Sequence, residues 1–279
     1  MLRSLLQTVQ NLSIDVVLGA VISSMFIAEF LSVQVPASQL LALGLAVWLI
    51  YTADHLTDAR AIPHAAHSSR HRFHQQYFKA LLSAWIILAI FGISLLTLLP
   101  QALIIKGGFM VILVALYFLL IRILPHLSFL HKELMIAILY SFGVFLAPVN
   151  LYPAPFGSQL ILLFLQYCSL ALLNVMLISW YERDTDQKDG LQSFFVKAGS
   201  KKGVYIIKIC LFCLYLSIAV SFWLFGAADV LMYAQVIILL MTLTLHTVAY
   251  YQAFFSKKKR HRIWSDAVFM YPILYLLIF

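Results

Sequence analysis

Long apolar blocks alternate with short polar connections along almost the whole chain. A block of about 20 apolar residues is long enough to cross a bilayer as an α-helix. By that measure the pattern predicts nine spans, near residues 14–34, 38–54, 78–99, 102–124, 132–149, 158–180, 203–225, 229–250 and 263–279. Connections such as LYPAPFGS (Leu151 to Ser158) and LFGAAD (Leu224 to Asp229) carry the proline and glycine that interrupt helices. The first block carries Glu29 and follows an amphipathic start, so it reads as a span and not as a signal peptide.

The basic residues support this count, because cytoplasmic connections accumulate Lys and Arg. Arg60, Arg70 and Arg72 share one connection, Arg183, Lys188, Lys197, Lys201 and Lys202 a second, and Lys257, Lys258, Lys259, Arg260 and Arg262 a third. All three fall on one side of the expected bundle, whereas the connections near 35, 100, 154 and 227 hold no basic residue. That places the basic side and the N-terminus in the cytoplasm.

Composition agrees with the pattern. Of 279 residues, 63% are hydrophobic and only 11% charged, far from the usage of soluble domains. The fold class is therefore an all-α polytopic membrane protein, a single transmembrane domain over residues 1–279, expected in the inner (cytoplasmic) membrane of a bacterium. The net charge of +8 reads as topology and attraction to anionic lipid headgroups, with no call for nucleic acid. SKKKRHR (Ser256 to Arg262) reads in the same way, as a solvated anchor at the lipid surface. Cys168, Cys210 and Cys213 lie inside apolar runs and offer no disulfide framework.

The acids are unevenly spread. Six of eleven belong to two stretches, TADHLTDAR (Thr52 to Arg60) and WYERDTDQKDG (Trp180 to Gly190). Asp54 and Asp58 are four residues apart, as are Glu182 and Asp186, and both pairs are expected at the cytoplasmic ends of their helices. Residues four apart share a helix face, and like charges there destabilise a bare helix. The offset between the pairs is 128 residues for both members, which hints at a duplicated four-helix unit. Something must offset the clustered charge. Mg2+ suits the role because it takes oxygen ligands, usually one or two carboxylates per ion, and completes its shell with water and substrate phosphate. Polar helix ends at headgroup level are the plainer reading of either pair alone.

At these residues the chain resembles the UbiA superfamily of intramembrane prenyltransferases, which have nine transmembrane helices and two Asp-rich motifs on the cytoplasmic side. The family form D-R-D-x-D-x-K-x-G stands here as ERDTDQKDG (Glu182 to Gly190), with Glu in place of the first acid. The form N-D-x-x-D-x-x-x-D is matched by Asp54 and Asp58, while Ile50 and Tyr51 replace its first two residues. HKELMIAILYSFGVFLAP (His131 to Pro148) is similar to the family's Lys-initiated fifth helix. The family's R-P-L-x-S-G segment is replaced by HAAHSSRHRFHQ (His64 to Gln75).

The resemblance implies a bundle with a central cavity open to the cytoplasmic side. It also implies transfer of an isoprenyl group from a prenyl diphosphate to a lipophilic acceptor in the bilayer, aromatic acceptors included, assisted by Mg2+. Asp54, Asp58, Glu182 and Asp186 would be the catalytic and metal-holding acids, with Lys132 and Lys188 at the diphosphate. Arg70 and Arg72 are candidates to clamp phosphate oxygens. Tyr51 is placed to shield an allylic cation by its ring face, though an aromatic at a helix end is more often an interface anchor. Asn174 is a candidate cavity residue or a plain interhelical hydrogen-bonding group. His64, His67, His71 and His74 follow a 3-4-3 spacing that would align them on one helix face. A titratable interfacial loop is the first reading of that segment and a transition-metal site the second. The competing functions are a membrane transporter or carrier and a catalytically inactive homologue, the latter motivated by Ile50 and Tyr51.

Overall fold

The computed structural model describes residues 2–123, 128–225 and 229–278. All regular structure in these residues is helical, with no strand. The expected connections around 124–127 and 226–228, and Phe279, lie outside the described residues.

An amphipathic helix α1 (Leu2–Asn11) leads into α2 (Ile14–Phe30), α3 (Ala37–Ala61), the short α4 (Ser69–Gln76), α5 (Phe78–Leu95), α6 (Gln101–Ile123), α7 (Ser128–Leu151), α8 (Ser158–Lys188), α9 (Phe194–Phe225) and α10 (Asp229–Tyr250). The chain closes with α11 (Gln252–Phe255), α12 (Arg260–Ala267) and α13 (Ile273–Leu276). Among the described residues six helices are long and apolar enough to cross a membrane: α3, α5 with its continuation to Leu98, α7 from Lys132, α8, α9 and α10 from Val230. The chain is a multi-pass integral membrane protein. One face of α5 turns Ile86, Ile87, Ile90 and Ile93 outward, as a surface in contact with lipid does.

Helix α6, Gln101–Ile123, follows the expected span 102–124, while two other expected spans take different forms. Helix α2 has 17 residues. The stretch expected as one span over 263–279 is divided into α12, a 3-10 turn at Val268–Met270, and α13. Two causes are visible in the sequence. Pro272 has no N–H to continue the ladder, and α12 opens on the polar run RHRIWSDA.

The acid-bearing helices outlast their apolar blocks. Helix α3 ends at Ala61 just before Pro63, and α8 ends in a cap at Gly190, whose φ of 72° is left-handed. Gly190 lets Leu191 N–H return to the Asp186 carbonyl at 2.8 Å, satisfying an orphan carbonyl of the last turn. Helix α9 is broken at Gly199, φ 79°. Helix α8 is central, packing on α7, α9, α10 and α12. Its Leu163, Tyr167, Leu170, Leu173, Met176 and Leu177 are fully buried. Their spacing of three, four and seven is a helix face turned to a core.

Candidate functional site

Because α3 stays helical to Ala61, Asp54 and Asp58 stand one turn apart on the same side of it. Both reach the same cation. The Lys132 ammonium, at the start of α7, lies 3.7 Å from Asp54 Oδ1 and 3.7 Å from Asp58 Oδ2. All three side chains are about a quarter exposed. The like-charge repulsion expected within this pair is thus offset by a lysine of the neighbouring helix.

The second pair is compensated differently. Both carboxylate oxygens of Glu182 accept from Arg262 of α12, through Nε and Nη2, and His261 Nε2 is 3.5 Å from Oε1. This corrects the solvated-anchor reading of SKKKRHR at its last two residues. Lys258 and Lys259 take left-handed φ of 57° and 55°, turning the chain so that His261 and Arg262 enter the bundle, buried. Asp186, one turn beyond Glu182, is buried, with Lys132 and Arg262 among the charges acting on it. Asp184 points away, with its side chain 87% exposed, as its position about 160° around the helix requires.

Between the acid-bearing ends lies Arg70 of α4. It is buried, and its Nη1 donates to His55 Nε2 at 3.2 Å, which requires a neutral imidazole there. Its Nε is buried without a partner, and among the described residues no carboxylate pairs with it. Burial and the neighbouring Arg262 push this guanidinium below the usual arginine range, against the pull of Asp266, Glu182 and Asp15. His71, 3.9 Å from Asp58 Oδ2, is held down to about 4 by burial and by Arg262 and Arg70, so its ring is uncharged at neutral pH. Glu182 and Asp54 both act on His71 in the opposite sense, so the two acid pairs share one electrostatic neighbourhood.

Beneath this cluster a cavity of about 150 Å3 opens between α2, α3, α4, α7, α8 and the C-terminal elements. Its polar wall is Tyr51, Asp54, His55, Arg70, Asn174 and Asp266. The rest of its lining is apolar and aromatic, with Ile136, Tyr140, Val175, Ile178 and Phe269. Asn174 Nδ2 donates to Asp266 Oδ1 at 3.3 Å, so this asparagine both makes an interhelical bond and faces the cavity.

Tyr51, Asp54, Arg70 and Asn174 therefore line the cavity, and Asp58, Lys132, Glu182 and Asp186 belong to the charge cluster above it. Two expected residues do not join them. Arg72 is exposed, and its Nε donates to the Ala66 carbonyl at 2.8 Å. Lys188 is exposed on the last turn of α8. Two residues apart on a helix point in nearly opposite directions, so Arg70 and Arg72 cannot clamp one phosphate together. The histidines do not share a face either, because α4 begins only at Ser69. His71 and His74 meet His55 edge-on, with ring centroids at 6.2 and 5.1 Å, while His64 and His67 stay in the preceding loop.

The oxygen donors of the first pair fit a hard divalent cation, since the Lys132 ammonium already stands between them. The Glu182 oxygens are taken by Arg262. Sequence reasoning passed over His55, Arg262 and Asp266. The signal available for the last two was a charged pair at i and i+4 on one helix. Comparisons with protein-family models, with curated proteins and with solved structures find no match to this chain.

Proposed function

We propose that the chain is an intramembrane prenyltransferase of UbiA type, with a cavity open to the cytoplasmic side. It would transfer an isoprenyl group from a prenyl diphosphate to a lipophilic acceptor. The observation that carries this reading is Arg70: a buried guanidinium that no carboxylate among the described residues pairs with, between two acid-bearing helix ends, in the lining of a cavity that also presents apolar and aromatic side chains. A permanently charged, forked donor with free hydrogen-bonding capacity suits phosphate oxygens. The adjoining apolar wall suits the first isoprene unit. At about 150 Å3 the cavity takes the headgroup end of such a substrate, and the tail continues between helices.

Mg2+ would be held by Asp54, Asp58 and Asp186, and when bound it supplies charge neutralisation for the departing diphosphate. Glu182 holds Arg262 beside the same anion. As the allylic C–O bond breaks, its electron pair stays on the diphosphate, where Arg70 and Lys132 stabilise the developing charge. The ring faces of Tyr51 and Tyr140 shield the carbocation. The acceptor then attacks the cation and gives up a proton, which Asp266, hydrogen-bonded by Asn174 in the cavity lining, would accept.

The test is turnover of purified protein with radiolabelled prenyl diphosphates, Mg2+ and a lipid extract. Labelled product is expected from the native chain and from Asp184→Asn. Asp186→Asn should lose about three decades of rate, the equivalent of ~4 kcal/mol of barrier. Absence of product, or equal loss in both variants, would overturn the reading.

A further inference from the structure

We propose that His64, His67 and Asp189 form a zinc-binding site that clasps the loop before α4 to the cap of α8. This site is separate from the cavity and does not depend on the prenyltransferase reading. Among the described residues these three alone place His, Cys or carboxylate ligand atoms in a compact group, all within 4.8 Å of one another. His67 Nδ1 is 2.8 Å and His64 Nε2 3.5 Å from the same oxygen, Asp189 Oδ1. Two ligands about 2.0–2.1 Å from a tetrahedral ion stand roughly 3.3 Å apart. The two observed separations bracket that value, so small side-chain rotations admit the ion. Two imidazoles with one carboxylate favour Zn2+ over Mg2+, which prefers an all-oxygen shell. They also leave a fourth position for water.

The carboxylate and the loop are held before any ion arrives. The Asp189 side chain is fully buried, and its two oxygens accept from the backbone N–H groups of His67 at 2.8 Å and Ser68 at 3.1 Å. Although burial pushes it up, these bonds and the His67 ring hold the Asp189 carboxyl below the usual range. The loop is fixed from behind by Gln75, which accepts from Ala66 N–H at 2.9 Å and donates to the His64 carbonyl at 2.9 Å. Arg72 adds its bond to the Ala66 carbonyl, which explains why it turns away from the cavity. The two imidazoles remain about half exposed, at 43% and 48%, so an ion has a path from solvent. On binding, His67 would shift its proton from Nδ1 to Nε2 and exchange one hydrogen bond for a metal bond. The clasp joins the segment that delivers Arg70 to the helix end that delivers Asp186.

The experiment uses the full chain in detergent micelles after chelator treatment, titrated with Co2+ as the spectroscopic probe and with Zn2+ in competition. One Co2+ per chain is expected, with the intense visible absorption of a tetrahedral site, displaced by Zn2+. His67→Ala, which leaves the backbone bonds to Asp189 in place, and His64→Gln at an exposed position should each weaken binding by at least ~10–100-fold, the loss expected even for an outer-shell partner. His246→Ala should bind as the native chain does. If His67→Ala does not elute as a folded species on size exclusion, His64→Gln alone decides. No visible band, or stoichiometric binding that survives the histidine substitutions, would overturn the proposal and leave Asp189 as a hydrogen-bonded loop anchor.

Discussion

Arg262→Met tests whether the acid pair of α8 is held by a protein cation. The Arg262 and Glu182 side chains are 8% and 13% exposed, and the contact is two-pronged. Their Coulomb attraction is weakly screened, but both ions have also lost most of their hydration. Removing one partner of such a pair costs about 3–5 kcal/mol, because the other charge is left buried without compensation. The loss in Arg262→Met should sit toward the upper part of that range. His261 Nε2, 3.5 Å from Glu182, replaces only part of the guanidinium's two hydrogen bonds. Adding Glu182→Gln removes the orphaned charge, so the double variant should recover most of the stability. The double replacement of a buried pair is often neutral or stabilising by about 1–4 kcal/mol. The assay is unfolding of all four proteins by SDS titration in mixed micelles, read by tryptophan fluorescence as a double-mutant cycle. A coupling energy below about 1 kcal/mol, the level of an exposed pair, would refute the argument. So would a double variant as unstable as the sum of its singles.

Lys132→Met should leave Asp54 and Asp58 repelling each other, lowering the melting temperature. Added Mg2+ should restore more of that loss than it adds to the native chain; an equal Mg2+ response in the two proteins would remove the first acid pair as a metal site. Gly19→Ala should destabilise by about 1–3 kcal/mol through overpacking. Its new Cβ would lie 2.8 Å from Phe269 Cβ, where α2 crosses the C-terminal turn; a neutral effect in a thermal-shift assay would contradict that close approach. For topology, single cysteines at Gln76 and Lys188 should resist an impermeant reagent applied to intact cells, and one at Phe156 should react. Labelling of either of the first two from outside would reverse the orientation.

The helices were readable because apolar block length is a local property. A membrane-length run must satisfy its own backbone hydrogen bonds, and that demand alone predicts helix, as α3, α5, α7, α8, α9 and α10 show. The same locality explains why Asp54 pairs with Asp58 on one face and why Asp184 turns outward. It also explains the miss at the C-terminus, where apolar content over 263–279 outweighed Pro272 and the polar opening of α12 in the reading.

Which cation meets which acid was not local. Lys132, 78 residues beyond Asp54, and Arg262, 80 residues beyond Glu182, reach their partners only because α7 and α12 pack where they do. The four histidines of the 64–74 segment looked like one ladder, yet the start of α4 at Ser69 divides them between His55 and Asp189. By itself the sequence determined a helical membrane bundle, the helix ends that carry acid and the excess of positive charge. Only the tertiary structure decided which charges neutralise one another and which guanidinium, among the described residues, is buried with no carboxylate against it. Charge compensation depends on distances of a few ångströms between segments far apart in the chain, and no periodicity encodes them.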